Sequence, residues 1–212
     1  METRIKLKEL RLPLFITILF ILNILIYWRA SLTIEPARLI FAECARNSGR
    51  TSAALNLILL LMLGYVGLKT IFNSKSIKKI FLTIVILFAV NHLIHFFFVL
   101  QNLDIKGTEL VFSQHKRNII TFIVLTILPF LLFFRQKLNW FLYIAILAHF
   151  FNVTYIIAKL FFDRYKPVDP AYTHRLGVLI MIAASMYALY RIYAERSLKF
   201  SSNHTPEIEE EV

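Results

Sequence analysis

Three histidines lie inside hydrophobic stretches long enough to cross a bilayer. His92 and His95 sit in Phe88-Ala89-Val90-Asn91-His92-Leu93-Ile94-His95-Phe96-Phe97, and His149 in Ile144-Ala145-Ile146-Leu147-Ala148-His149-Phe150-Phe151. An imidazole moved from water into hydrocarbon must find a new partner, so an ionisable side chain at that depth marks a functional site by default. Imidazole is also the usual protein ligand of haem iron in membrane cytochromes. His92 and His95, three residues apart on a helix, stand about 60° from one another. Both can face one interior, but they cannot grip the two faces of a single porphyrin. That takes a second imidazole from another segment, and His149 is placed to supply it.

The elements that must position these rings follow from composition. With 58% hydrophobic residues, 20 Phe and a mean hydropathy of +0.65, the chain is not an ordinary soluble domain. Six apolar stretches approach or reach the length needed to span ~30 Å of hydrocarbon at ~1.5 Å per residue. They run near 12–28, 53–72, 80–103, 118–134, 140–162 and 176–193. The sequence therefore predicts an all-α fold, a single integral membrane bundle of six transmembrane helices over 1–200, with a disordered acidic tail at 201–212. No period-2 alternation supports a membrane barrel. Arg4, Lys6, Lys8 and Arg11 precede the first stretch, but its apolar core is too long for a signal peptide and Trp28-Arg29-Ala30-Ser31 is a poor cleavage site.

Within this frame the local signals are specific. Pro13 suits the first turn of helix 1. Pro36 and the following Ala37-Arg38-Leu39-Ile40-Phe41-Ala42 suggest a short interfacial helix before helix 2, and Pro129 removes a backbone hydrogen bond within helix 4. Gly177, Ala183, Ala184 and Ser185 suggest a small-residue packing face on helix 6. Lys and Arg are slightly in excess on the side shared by the two termini, which favours cytoplasmic termini in a multi-pass protein of a bacterial inner membrane. The net charge of +11 then reflects juxtamembrane cations facing the anionic headgroups of the lipid bilayer. No basic stripe with stacking aromatics suggests nucleic acid. The lone Cys44 rules out an intramolecular disulfide and a cysteine-ligated iron–sulfur or zinc framework.

Depth is the geometric test open to the sequence. Helices 3 and 5 run in the same direction, and His92 lies about 18 Å, His149 about 14 Å and His95 about 22 Å in from their starts. His92 and His149 thus fall at similar levels, as axial ligands of one haem must. Against this stands packing alone: each ring can be satisfied by a helical carbonyl or by Asn91 or Asn152. His115 and His174 lie near the far surface and His204 in the tail. Arg46 and Arg50, four apart at the membrane edge, suit a clamp on an acid such as a haem propionate, or a contact to lipid phosphate. Asn23 and Asn56 suit interhelical hydrogen bonds.

The run Ala45-Arg46-Asn47-Ser48-Gly49-Arg50-Thr51-Ser52, followed by Asn91-His92-Leu93-Ile94-His95, resembles the ferric reductase-like transmembrane family over about residues 37–165. The resemblance implies a six-helix b-haem membrane domain with ligating histidines on helices 3 and 5. His92 matches the first. Many members carry Arg-Leu-His at the start of helix 5, where this chain has Lys137-Leu138-Asn139, so Asn139 stands in that ligand position and His149 lies ten residues on. The departure implies one haem, an altered site, or a member without redox function.

These readings converge on a membrane b-type cytochrome-like protein. His92 and His149 are its expected haem ligands, His95 an outer ligand or a supporting residue, and Arg46 and Arg50 lie near propionates. It would hold one haem b or two. The five glycines form no G-x-G-x-x-G pattern, so a flavin or quinol donor would have to be separate. As an enzyme it would be a membrane oxidoreductase subunit without a nucleotide-binding domain. The alternatives are a non-redox accessory or scaffold protein whose buried His and Asn fix helix packing, and a small transporter, against which the lack of intramembrane Asp or Glu argues.

Overall fold

The computed structural model describes residues 11–107, 112–134, 140–163 and 171–202. Among the described residues the chain is helical throughout, with no strand. The helices are α1 (Arg11–Thr33), a 3-10 turn (Ala37–Leu39), α2 (Ile40–Tyr65), α3 (Leu68–Asn73), α4 (Lys75–Ile105), α5 (Phe112–Phe134), α6 (Trp140–Asp163) and α7 (Ala171–Ser202). Three of them are long and apolar enough to cross a membrane, over Leu12–Thr33, Lys75–Ile105 and Arg175–Glu195. The apolar stretches Ile119–Leu132 in α5 and Tyr143–Lys159 in α6 are shorter. Large apolar side chains such as Ile24, Trp28, Phe130, Leu179 and Met186 face outward from α1, α5 and α7, where lipid replaces water as the solvent. These features are those of a helical membrane protein.

The expected second span is redrawn at both ends. The interfacial helix and helix 2 are one continuous helix, because polar side chains in the Arg46–Arg50 run turn back onto their own ladder. Ser48 Oγ donates to Cys44 O at 2.8 Å and Asn47 Nδ2 to Glu43 O at 3.2 Å. At the other end the helix stops at Tyr65, since Gly67 adopts φ +83°, a backbone that L side chains rarely take. The chain then makes the short α3, and Ser74 caps α4 by accepting from Ile77 N, five residues before the expected start. Helix 5 coincides with α6. The turn at 164–170 and most of the acidic tail, 203–212, lie outside the described residues.

Helix α2 is the hub. It packs against α1, α4, α6 and α7, while α4–α5, α5–α6 and α6–α7 close the outer ring. Its small residues explain the close approach: Cys44, Ala45, Ser48, Ser52 and Ala53 are all buried, and Gly49 sits beneath the His95 ring. Between helices in lipid, where apolar burial adds little, such close van der Waals contact drives association. The expected small face on α7 is realised in part: Ala184 and Ser185 are buried, Ala183 is exposed. The largest core runs from Leu59, Leu60 and Leu63 on α2 through Phe81, Val85 and Phe88 on α4 to Leu125, Leu128, Ile146 and Phe150 on α5 and α6.

Candidate functional site

The buried asparagines place their donors across helices, while Asn23 Oδ1, Asn56 Oδ1 and the Ser185 hydroxyl are buried without a partner. Asn91 of α4, fully buried, donates to Ser48 O at 2.9 Å and Ser52 Oγ at 2.8 Å, and accepts from Asn23 of α1 at 3.1 Å. Asn56 of α2 donates to Thr154 Oγ1 of α6 at 3.1 Å, and Asn152 of α6 donates to Thr121 Oγ1 of α5. The asparagines thus tie α1, α2, α4, α5 and α6 together. Neither Asn91 nor Asn152 bonds an imidazole, although their positions in sequence made them the obvious partners.

Two of the imidazoles are left over. His149 is buried, lies edge-on to Phe150 at 5.5 Å between centroids, and its Nε2 has no hydrogen-bond partner. His92 lies 6.1 Å from Phe88, 6.0 Å from Phe122 and 5.5 Å from His95, ring centre to ring centre, and its Nδ1 is buried without a partner. His92 lies within electrostatic reach of both His95 and His149. Cross-helix contacts set their relative levels. Adjacent residues of α5 touch Asn152 and His92, through Thr121 and Phe122, which brings His149 to about one turn below His92. The Phe81–Phe150 contact, 6.2 Å, pulls the same part of α6 toward the start of α4. His149 therefore sits between the levels of Phe81 and His92, on a helix that meets α4 through the Phe81–Phe150 contact.

His95 differs from both. Its Nδ1 lies 3.1 Å from Ser48 Oγ, and the ring lies against Gly49, where an added Cβ would stand 3.2 Å from Cε1. Sequence reading passed over Ser48 and Gly49 as site residues. The available signal was the four-residue spacing of Ser48, Ser52 and Asn56, a polar stripe on an otherwise small-residue helix face.

The edge arginines are occupied locally. Arg46 pairs with Glu43 one turn earlier, Asn47 holds the other Glu43 oxygen at 2.8 Å, and Arg50 donates to Asn47 Oδ1 at 3.1 Å. The structure thus adds Glu43, an acid within the chain, as a partner for Arg46. At the opposite end of α2, the buried Glu195 of α7 accepts from Lys69 N at 3.3 Å, and Lys69 Nζ donates to the Glu195 carbonyl. This polar lock escaped the sequence reading because Glu195 lies just past the apolar stretch of α7. The side chains of His115 and His174, and the whole of Asn139 and His204, lie outside what is described.

Fold and site together define an all-helical, membrane-type bundle with three imidazoles gathered on α4 and α6 around a central small-residue helix. Comparison of the chain with protein-family models, with curated proteins and with solved structures gives no match. Among the described residues no group of three or more His, Cys, Asp or Glu is arranged to hold a bare metal ion.

Proposed function

We propose that this chain is a membrane b-type cytochrome-like protein, related in design to ferric reductase-like domains, in which His92 and His149 hold a haem b. One observation carries the reading. The side chains that would satisfy these rings in a purely packed interior, Asn91 and Asn152, are spent on other helices, leaving His92 Nδ1 and His149 Nε2 buried without partners. A buried polar atom with no partner costs roughly 1–3 kcal/mol, and ligation of iron through Nε2 would relieve that cost at His149. The donor set is two imidazoles from two different helices, α4 and α6, with aromatic neighbours Phe88, Phe122 and Phe150.

Haem bound there would supply one-electron redox chemistry. The chain's own contribution is a water-poor, apolar setting built by the α2–α4–α5–α6 core. His95 lies beside His92, and in this reading Arg46 and Arg50 would meet the haem carboxylates, Arg46 by exchange with Glu43. In this reading six helices span the bilayer, both termini are cytoplasmic in a bacterial inner membrane, and a separate flavoprotein or quinol delivers electrons. The runner-up, a non-redox accessory protein, draws on the interhelical Asn and Ser bonds, which serve packing alone.

The test is a reduced-minus-oxidised visible spectrum of the purified full chain after expression with haem supplied. A b-type α-band that is lost in His92→Ala and in His149→Ala but kept in His115→Ala supports the assignment. A wild-type protein with no such band rejects it and leaves the accessory reading.

A further inference from the structure

The Ser48 hydroxyl has a single hydrogen and three near neighbours: Cys44 O at 2.8 Å, Ala45 O at 3.2 Å and His95 Nδ1 at 3.1 Å. Two oxygens 2.8 Å apart repel unless a hydrogen lies between them, so that hydrogen belongs to the Cys44 carbonyl. Ser48 Oγ can then only accept from His95, which places the proton on Nδ1 and the lone pair on Nε2. Gly49 completes the arrangement. With no Cβ, it lets the ring lie flat against α2, where a methyl would stand 3.2 Å from Cε1 and 3.5 Å from Nδ1. Ser48 itself is fully buried, and its carbonyl accepts from Asn91.

We infer that Ser48 and Gly49 are positioning residues that hold His95 as the Nδ1–H tautomer with Nε2 as its lone-pair nitrogen. This is the support that metal-binding histidines receive, in which one ring nitrogen donates to a fixed oxygen so that the other can ligate. Ser48 thereby fixes the tautomer of His95. Its ligand class is an iron porphyrin, bound at His95 directly or beside it at His92, 5.5 Å away between ring centres. The ligand class rests on the haem reading, whereas the tautomer does not.

The experiment is 15N NMR of the full chain in nanodiscs, labelled at histidine, with His95 assigned by the signals lost in His95→Asn. The expected wild-type spectrum has a protonated Nδ1 and a pyridine-type Nε2 at His95. Ser48→Ala should move the proton to Nε2, and Ser48→Thr, which keeps the hydroxyl, should restore it. A wild-type His95 protonated at Nε2, or a tautomer unmoved by Ser48→Ala, overturns the inference. The wild-type spectrum decides by itself if the variants do not fold. Haemin added to the same samples separates the two readings: absence of a b-type band strikes the haem reading and leaves the tautomer result standing.

Discussion

Replacing Asn91 by alanine is the sharpest test of how this bundle is held. The side chain makes three interhelical hydrogen bonds, to Ser48 O, to Ser52 Oγ and from Asn23 Nδ2. Side-chain hydrogen bonds between membrane helices average about 0.6 kcal/mol, so three give roughly 2 kcal/mol, a factor of about 30 in the folding equilibrium. The partners limit the loss. Ser52 can turn its hydroxyl to its own helix, and Asn23 keeps its bond to Leu19 O at 2.9 Å, so no donor is stranded at full cost. Removing the amide from a fully buried site adds a cavity term, which Asn91→Leu separates by refilling the space. Equilibrium unfolding in mixed detergent micelles reads the change. A double-mutant cycle with Asn23→Ala isolates one bond, with an expected coupling of about 0.6 kcal/mol. If Asn91→Ala costs less than about 0.5 kcal/mol, the size of a neutral surface change, or if the cycle is additive, the network does not hold α1, α2 and α4 together.

Other contacts give equally direct outcomes. Gly64→Ala would push a Cβ into the Tyr187 ring, so a loss of about 1–3 kcal/mol is expected in the same unfolding assay, recovered in large part by Tyr187→Ala. Gly67→Ala combines a strained φ of +83° with a collision against the Glu195 carboxylate, and should cost more than either alone, about 2–4 kcal/mol. Glu195→Ala should release α3 from α7, seen as faster hydrogen exchange at the Lys69 amide. Asn152→Ala, which unties α6 from Thr121, should lower stability by about 1 kcal/mol in detergent unfolding and leave the α1–α2–α4 contacts unchanged.

Much of the helical order was legible from apolar length, because hydrocarbon permits few backbone solutions. Residues 140–162 coincide with α6 to within one residue. The misread boundaries lie at polar ends. The Arg46–Arg50 run looked like a break because polar residues and a glycine usually punctuate helices. Here each polar group is satisfied by the turn before it, and Gly49 serves a neighbouring ring rather than a turn. Conversely, Gly67 looked innocuous inside an apolar run and ends the helix. The depth argument set His92 and His149 at similar levels of an expected six-span bundle. What periodicity could not reveal was which polar groups pair, since that depends on helix neighbours fixed by the whole bundle.

The decisive difference between the two readings of the interior lies in how the polar groups are spent. An interior built for packing alone should pair its imidazoles as thoroughly as its amides, because every unpaired polar atom in a lipid-embedded core carries a cost. The asparagines Asn23, Asn56, Asn91 and Asn152 all place an NH2 group on another helix, while Asn23 and Asn56 leave Oδ1 buried without a partner. His95 is paired with Ser48. His92 and His149 each leave a buried ring nitrogen unmet, in a protein whose nearby amides were within one residue or one turn of serving them. A Phe or Leu at either position would carry no unpaired nitrogen. On the proposed reading, a haem between α4 and α6 would account for two imidazoles in this setting.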